Sequence, residues 1–390
     1  MSMTFQGINV LLLDGYGRQL PTIMRQLHDL GCEITTLNCS KLDIGYTSRY
    51  PKKKLLEPDT RHNSDALEAV LDREIFSGKY DVVFPMLEPS TEILTKKASE
   101  YEKYVRIIAA PYDAFMRAYD KQVTMCACMD NDIPCPITKR DEESLDAYIE
   151  KVGFPIVVKP RKGTGSIGFH CIRTQEELNV LLQSEDFRIE ENVIQQYIPQ
   201  TDTQYGTYII LDKNHNVKTA MVTDKARWYP IDGGAACLSR TVDRPDIIED
   251  SIRLLKALKW QGFAQLDFIG DPRDGVAKCM EINGRITASM KICQHVGIPV
   301  VKQLLQYAFG EEVEAYTKPI PLDYRLRYSQ TDFMWFLKSP RRFSFRPSWF
   351  SNKRTTDFIW SIKDPIPYFS YTLSHILSLR EDMKKRNRKI

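Results

Sequence analysis

Ala277-Lys-Cys-Met-Glu-Ile-Asn-Gly-Arg285 is the stretch on which the reading of this sequence turns. It alternates polar and apolar side chains as a strand does, so Glu281 and Asn283, two apart, point to one side. Just upstream, Gly262-Phe-Ala-Gln-Leu-Asp-Phe-Ile-Gly270 also alternates, with Asp267 facing away from Leu266 and Phe268, and Asp271-Pro-Arg-Asp-Gly275 supplies a turn between the two segments. Antiparallel pairing across that turn brings Asp267 within reach of Glu281 and Asn283. Three oxygen ligands on one rigid face suit Mg²⁺, which takes a few protein oxygens and completes its shell with phosphate and water. A solvated sheet face is the plainer explanation for Asp267 by itself. It does not account for Gly284 and Arg285 directly after the pair, which set a guanidinium beside a transferring phosphate.

Further towards the N-terminus, Ile156-Val-Val-Lys159-Pro160 is an apolar strand with one lysine at its end. Burying an unpaired ammonium is costly, so such a lysine seldom belongs to a core. The strand runs into Arg161-Lys-Gly-Thr-Gly-Ser-Ile-Gly168, where glycines allow backbone N–H groups to turn onto phosphate oxygens. No G-K-[ST] closes this loop, so it is not a P-loop. Alone it reads equally as a hairpin turn, and the lysine at the end of the preceding strand favours phosphate.

Residues before these stretches show another rhythm. Ile8 to Asp14 is a short apolar run ended by Gly15 and Gly17, Pro21 to Leu30 has helical spacing, and Glu33 to Asn38 reads as a second strand. Leu67 to Phe76 is helical, and Tyr80 to Pro85 and Arg106 to Ala110 are further buried strands. Strand and helix in alternation imply a doubly wound parallel sheet over roughly the first 110 residues. Its first turn fails the G-x-G-x-x-G pattern, because Leu20 stands where the last glycine belongs, and a dinucleotide site is not expected.

Taken in order, Asp120-Lys121, Val158-Lys159-Pro160, the glycine loop, Gln195-Gln-Tyr-Ile198, Asp267 and Met280-Glu-Ile-Asn-Gly-Arg285 resemble the ATP-grasp superfamily, with carboxylate–amine ligases and the carbamoyl phosphate synthetase large subunit nearest in character. The resemblance runs from about Ile8 to Tyr316. It implies an α/β chain: a Rossmann-like pre-ATP-grasp domain over 1–112 and an ATP-grasp domain over 113–320, with a lid subdomain at about 125–195. It implies ATP with Mg²⁺ or Mn²⁺ as cofactors, Lys121 and Lys159 on the phosphates, and Gly163, Thr164, Gly165, Ser166 and Gly168 in a lid over them. Gln195, Gln196, Tyr197 and Ile198 would form the adenine hinge, with Gln204 at the ribose. Asp267, Glu281 and Asn283 would hold the metal, and Arg285 would stabilise an acyl-phosphate transition state. Gln196 and Gln204 stand where the family usually has glutamates, and an amide can still hydrogen-bond to hydroxyls or to the adenine amine. The implied reaction is ADP-forming carboxylate–amine ligation on small-molecule substrates, with a small-acid kinase or a non-catalytic ATP-binding module as alternatives. On the acceptor side, Arg227 or Arg240 would clamp a carboxylate unless they are ordinary surface arginines, and Glu88 is a further candidate for substrate contact. A homodimer is also implied.

Composition sets bounds on these readings. The 390 residues carry 54 Lys/Arg against 51 Asp/Glu, a net +3, which excludes a general polyanion binder. From Pro321 to Ile390, however, 15 Lys/Arg face 6 Asp/Glu, and 14 of the 41 Phe, Trp and Tyr residues fall in this segment. A basic, aromatic C-terminal appendage over 321–390, with a helix from Tyr368 to Leu379, is expected. It either packs on the core or meets the inner face of a membrane, and no nucleic-acid partner is expected. Met1 to Gly7 lacks the pattern of a secretory signal, and nine scattered cysteines read as free thiols, so a cytoplasmic location is expected.

Overall fold

The computed structural model describes residues 4–163, 167–200, 203–231 and 234–386, the last nine of these by backbone alone. Thr164, Gly165 and Ser166 of the expected lid lie outside the described residues. The first sheet is wholly parallel, with strands β1 (Asn9–Leu12), β2 (Glu33–Asn38), β3 (Lys53–Leu56), β4 (Val82–Phe84) and β5 (Arg106–Ile107) in the spatial order β3-β2-β1-β4-β5. Helices Leu20–Asp29 and Ser64–Phe76 follow β1 and β3, as a doubly wound sheet requires. The order reverses beside β1, so the crevice of the sheet opens at the carboxyl ends of β1 and β4. β3 was not anticipated. It is an edge strand carrying Lys53 and Lys54, and therefore lacks the continuous apolar run by which buried parallel strands are recognised.

A small antiparallel sheet, ordered β7-β6-β8, contains β6 (Ile156–Pro160), β7 (His170–Ile172) and β8 (Asn192–Gln196). It has a core of its own, in which Tyr148, Ile156, Val158, Ile172, Leu178 and Ile194 pack together. The glycine loop is thus the β6–β7 connection.

Seven strands form the large sheet, in the order β13-β12-β9-β10-β11-β14-β15. They are β9 (Gln204–Leu211), β10 (Val217–Tyr229), β11 (Ala235–Thr241), β12 (Gly262–Gly270), β13 (Ala277–Asn283), β14 (Arg325–Arg327) and β15 (Thr355–Asp357). All pairs are antiparallel except β14 with β15. One face packs with the N-terminal domain in a continuous core containing Val10, Leu12, Phe84, Tyr208, Ile210 and Met221. The other face packs under helices Tyr112–Tyr119 and Pro245–Ala257, around Phe115, Leu254, Trp260 and Leu266.

The C-terminal segment differs from the expected appendage. β14 pairs with β11 (Ser239 opposite Leu326), so residues after 320 complete the large sheet. Helix Ser329–Lys338 then seats Asp332, fully buried, against Arg227 of β10, with Arg227 Nε 2.8 Å from Asp332 Oδ1. The Tyr46–Tyr50 stretch is occupied by the same segment: Ser48 Oγ donates to Asp364 Oδ2 at 2.5 Å, and Thr47 Oγ1 lies 2.8 Å from Ser370 Oγ.

Candidate functional site

Lys121 owes its position to the residue before it. Asp120 is the N-cap of helix Lys121–Asp130, its Oδ1 accepting from Gln122 N at 2.9 Å, and it also holds Arg161 at the end of β6, with Arg161 Nη2 2.9 Å from Asp120 Oδ2. Lys121 N in turn donates to Arg161 O at 2.9 Å. These bonds staple the helix start to the end of the Lys159 strand. Lys121 Nζ then reaches Gly163 O at 2.8 Å, and Gly163 has φ +115°, a backbone conformation that L side chains rarely adopt. The two lysines therefore converge where the glycine loop begins. Lys159 is partly buried. Desolvation, opposed by the Glu281 carboxylate and reinforced by Lys121, lowers its pKa from 10.5 to about 8.

The acidic group comes together as the alternation of its strands requires. β12 and β13 are antiparallel, with Asp267 directly opposite Glu281 and Gln265 opposite Asn283. Gln265, which the sequence reading missed, braces the set: its Nε2 donates to Asp267 Oδ1 at 2.8 Å and its Oε1 accepts from Asn283 Nδ2 at 2.8 Å. Asn283 Nδ2 also lies 3.4 Å from Asp267 Oδ2, which leaves the Asn283 carbonyl oxygen to face elsewhere. Among the described residues, no hydrogen bond or ion pair engages the Glu281 carboxylate. Two carboxylates and one amide oxygen form a hard donor set that fits Mg²⁺. Among the described residues no three of His, Cys, Asp and Glu gather as a metal centre, and the third oxygen donor in this set is an amide.

Lys225 is the second residue that sequence reading passed over. Its Nζ lies 2.7 Å from Asp267 Oδ1. Gly206 of β9 sits between them in the sheet, opposite Asp267 on one side and Thr223 on the other, and a Cβ there would be 3.6 Å from Asp267 Oδ1. The missing side chain opens the path from Lys225 to Asp267. The signal is present in Lys225-Ala-Arg227, where a lysine stands two residues before the arginine. An irregularity in the β10–β11 register separates Lys225 from Arg227 and cancels the two-residue rule that would put both on one face.

The structure does not bring Arg227 or Arg240 to this site. Arg227 is buried beneath Trp335, its guanidinium carbon 4.8 Å from the ring centroid, and bonded to Asp332. Arg240 donates to Asp224 Oδ2 at 2.8 Å, and Asp224, between Thr223 and Lys225, points to the other face of the sheet. Glu88 does arrive. It opens helix Glu88–Lys96 after β4, at the crevice of the parallel sheet, and accepts from Arg285 Nε at 2.5 Å. Gly284 lets Arg285 leave β13 at this point, since a Cβ there would stand 2.8 Å from Trp260 Cη2 and 3.1 Å from Phe115 Cδ2. A cleft lined by Glu88, Tyr119, Lys121, Gly163, Glu281 and Asn283 joins Lys121 to two members of the acidic group.

The hinge residues lie on and just after β8. Gln195 is buried and spends its amide on Thr138 Oγ1 at 2.9 Å. Gln196 N donates to Ile137 O at 2.8 Å, Tyr197 is partly buried and Ile198 is buried. Gln204 opens β9 opposite Ile269 of β12. Gly168, with φ +72°, closes the glycine loop against Pro160.

The chain is 26% identical over 214 residues to a D-aspartate ligase of Enterococcus faecium, covering 50% of each protein. It is 22% identical over 342 residues to the carbamoyl phosphate synthase large chain of Myxococcus xanthus, covering 82% of this chain and 30% of that one. The chain thus matches only a third to a half of the length of such curated relatives. Among solved structures, the biotin carboxylase domain of Hydrogenobacter thermophilus 2-oxoglutarate carboxylase, described in complex with MgADP and bicarbonate, superposes with TM-score 0.67 at 16% identity, covering 82% of this chain and 74% of that one. An L-amino acid ligase from Bacillus licheniformis superposes with TM-score 0.60 at 19% identity, covering 78% and 74%. These likenesses show a shared fold. The family model "Carbamoyl-phosphate synthase L chain, ATP binding domain" matches residues 120–316, from the cap of Lys121 to beyond Arg285, and the chain belongs to that family, within the ATP-grasp superfamily.

Proposed function

We propose that the protein is an ATP-dependent carboxylate–amine ligase that activates a small carboxylate as an acyl phosphate and releases ADP and phosphate. The observation that carries this reading is the single cleft in which Lys121, the metal-type pair Glu281 and Asn283, and the Glu88 partnered by Arg285 all meet. Lys121 and Lys159 supply positive charge to nucleotide phosphates without a covalent role, as phosphoryl transfer requires. Asp267, Glu281 and Asn283 would hold Mg²⁺, which would supply charge neutralisation at the transferring phosphate. Arg285, aimed by Glu88, meets the carboxylate oxygen as the γ-phosphoryl group moves onto it. The amine then attacks the acyl carbon, a C–N bond forms, and the C–O bond to phosphate breaks, with the amine proton passing to solvent. The relatives named as D-aspartate ligase and L-amino acid ligase support a carboxylate–amine pair as the substrates.

The test is ADP release measured with purified protein across pairs of small carboxylates and amines. Turnover that requires both an acid and an amine, and that falls at least about a hundredfold in Glu281→Gln and Arg285→Met, is the expected result. Turnover with acid alone replaces ligation by small-acid phosphorylation. Nucleotide binding without turnover for any pair overturns both.

A further inference from the structure

The C-terminal segment is built into the large sheet, yet it leaves many apolar side chains exposed. Of 22 large apolar side chains exposed among the described residues, 12 lie between Phe333 and Leu377. Seven of these belong to two groups. In the first, Phe336 and Trp349 meet at a tilt with ring centroids 4.5 Å apart, and Phe343 and Phe350 stand edge-on to Phe336 at 5.6 Å each. Phe343 and Phe350 are 69% and 64% exposed, although an aromatic cluster of this kind usually closes a core.

The second group is the outer face of helix Ile366–Arg386. Ile366, Phe369, Leu373, Ile376 and Leu377 are all exposed and recur at helical spacing, within a stripe about 100° wide. The helix docks on the protein through Tyr368 and Tyr371, which pack against the core, and through hydroxyl groups: Ser370 meets Thr47, the Tyr371 hydroxyl lies 3.0 Å from that of Tyr328, and Gln330 Nε2 donates to Thr372 Oγ1 at 2.9 Å. An amphipathic helix on a globular protein normally buries its apolar stripe. This one is inverted.

Charge identifies what covers the surface. From Phe333 to Leu377 the sequence has seven Lys/Arg and two Asp. Both aspartates are spent internally, Asp357 on the backbone of Ile359 and Trp360 and Asp364 on Ser48. The chain continues into Lys384-Lys-Arg-Asn-Arg-Lys389. A second copy of the chain would bring the same cationic surface against itself. Among the described residues no helix is long and apolar enough to span a membrane. We infer that the face formed by the Phe343/Phe350 cluster and the outer stripe of helix Ile366–Arg386 docks on an anionic lipid bilayer, aromatic and aliphatic groups entering the interface while the basic groups meet the headgroups. This goes beyond the ligase reading and does not depend on it, because none of these residues lines the catalytic cleft.

The experiment is flotation of the full chain with vesicles of phosphatidylcholine, alone or mixed with phosphatidylglycerol. The protein is expected to float with the mixed vesicles, to stay behind with phosphatidylcholine alone, and to be released as salt rises from about 0.1 M to about 0.5 M. Leu373→Gln/Ile376→Gln and, independently, Phe343→Ser/Phe350→Ser are each expected to lower partitioning at least tenfold, with the thermal midpoint unchanged. Equal partitioning of wild type and both variants, or no flotation of wild type with phosphatidylglycerol present, overturns the proposal. So does a wild-type dimer that these substitutions convert to monomer while vesicles bind neither form.

Discussion

At Lys159, burial and the Glu281 carboxylate act on one ammonium in opposite directions, and burial, reinforced by Lys121, prevails. The pKa is about 8 in the folded protein against an ordinary 10.5, so the folded state binds the proton less well than the unfolded chain does. Between these values the unfolded state carries more protons, and stability attributable to this residue rises with pH. Lys159→Met is therefore expected to be more stable than wild type at pH 7 and to lose that advantage as pH climbs from about 8 towards 10.5, in urea unfolding without nucleotide. A constant difference across that range would contradict the assignment. The same substitution is expected to weaken ATP binding by at least tenfold at pH 7, where the ammonium is charged. Glu88 is engaged differently, its carboxylate accepting from Arg285 Nε. Glu88→Gln should lower kcat by about ten- to a hundredfold while KM for ATP changes by less than about threefold. Equal losses in both would mean that Glu88 shapes the nucleotide site itself.

Among the elements, those that carry the cleft were the legible ones. β6, β12 and β13 announce themselves by apolar runs and two-residue alternation, and that alternation alone implied that Asp267, Glu281 and Asn283 share a face. Legibility ended where a local rule was broken by a neighbour. The irregular register of β10 sends Lys225 to Asp267 and Arg227 into the protein, a choice made by strand pairing with β11 and invisible in Lys225-Ala-Arg227. β14 and β15, three residues each, are too short and too polar to show a period. Gly284 is the clearest test at this scale, because rigid rings of Trp260 and Phe115 occupy the space its Cβ would need. Gly284→Ala is expected to cost about 1–3 kcal/mol in urea unfolding, since neither buried ring can withdraw.

For the whole molecule, the C-terminal segment decides what counts as the core. Burial raises the Asp332 carboxyl above its usual range against the pull of Arg227 and Arg327, and lowers the Arg227 guanidinium against the pull of Asp332. Each needs the other in place. Ending the chain after Asp323 would strip β14 and β15 from the large sheet and uncover Arg227, and a loss of more than about 3 kcal/mol, or failure to fold, is expected in thermal unfolding. Replacing the pair together, as Arg227→Met/Asp332→Leu, should be far milder than Asp332→Asn alone. What the sequence by itself determined was the parallel N-terminal sheet, the Lys159 strand with its glycine loop, and the Glu-x-Asn strand with its arginine, because each is written in short-range periodicity and residue type. Only the tertiary structure decided that Lys225 and Gln265 brace Asp267, that Glu88 orients Arg285, and that the basic, aromatic C-terminal residues complete the large sheet while facing an inverted apolar stripe to solvent. Those outcomes depend on strand register and on contacts between residues far apart in the chain, which no local pattern specifies.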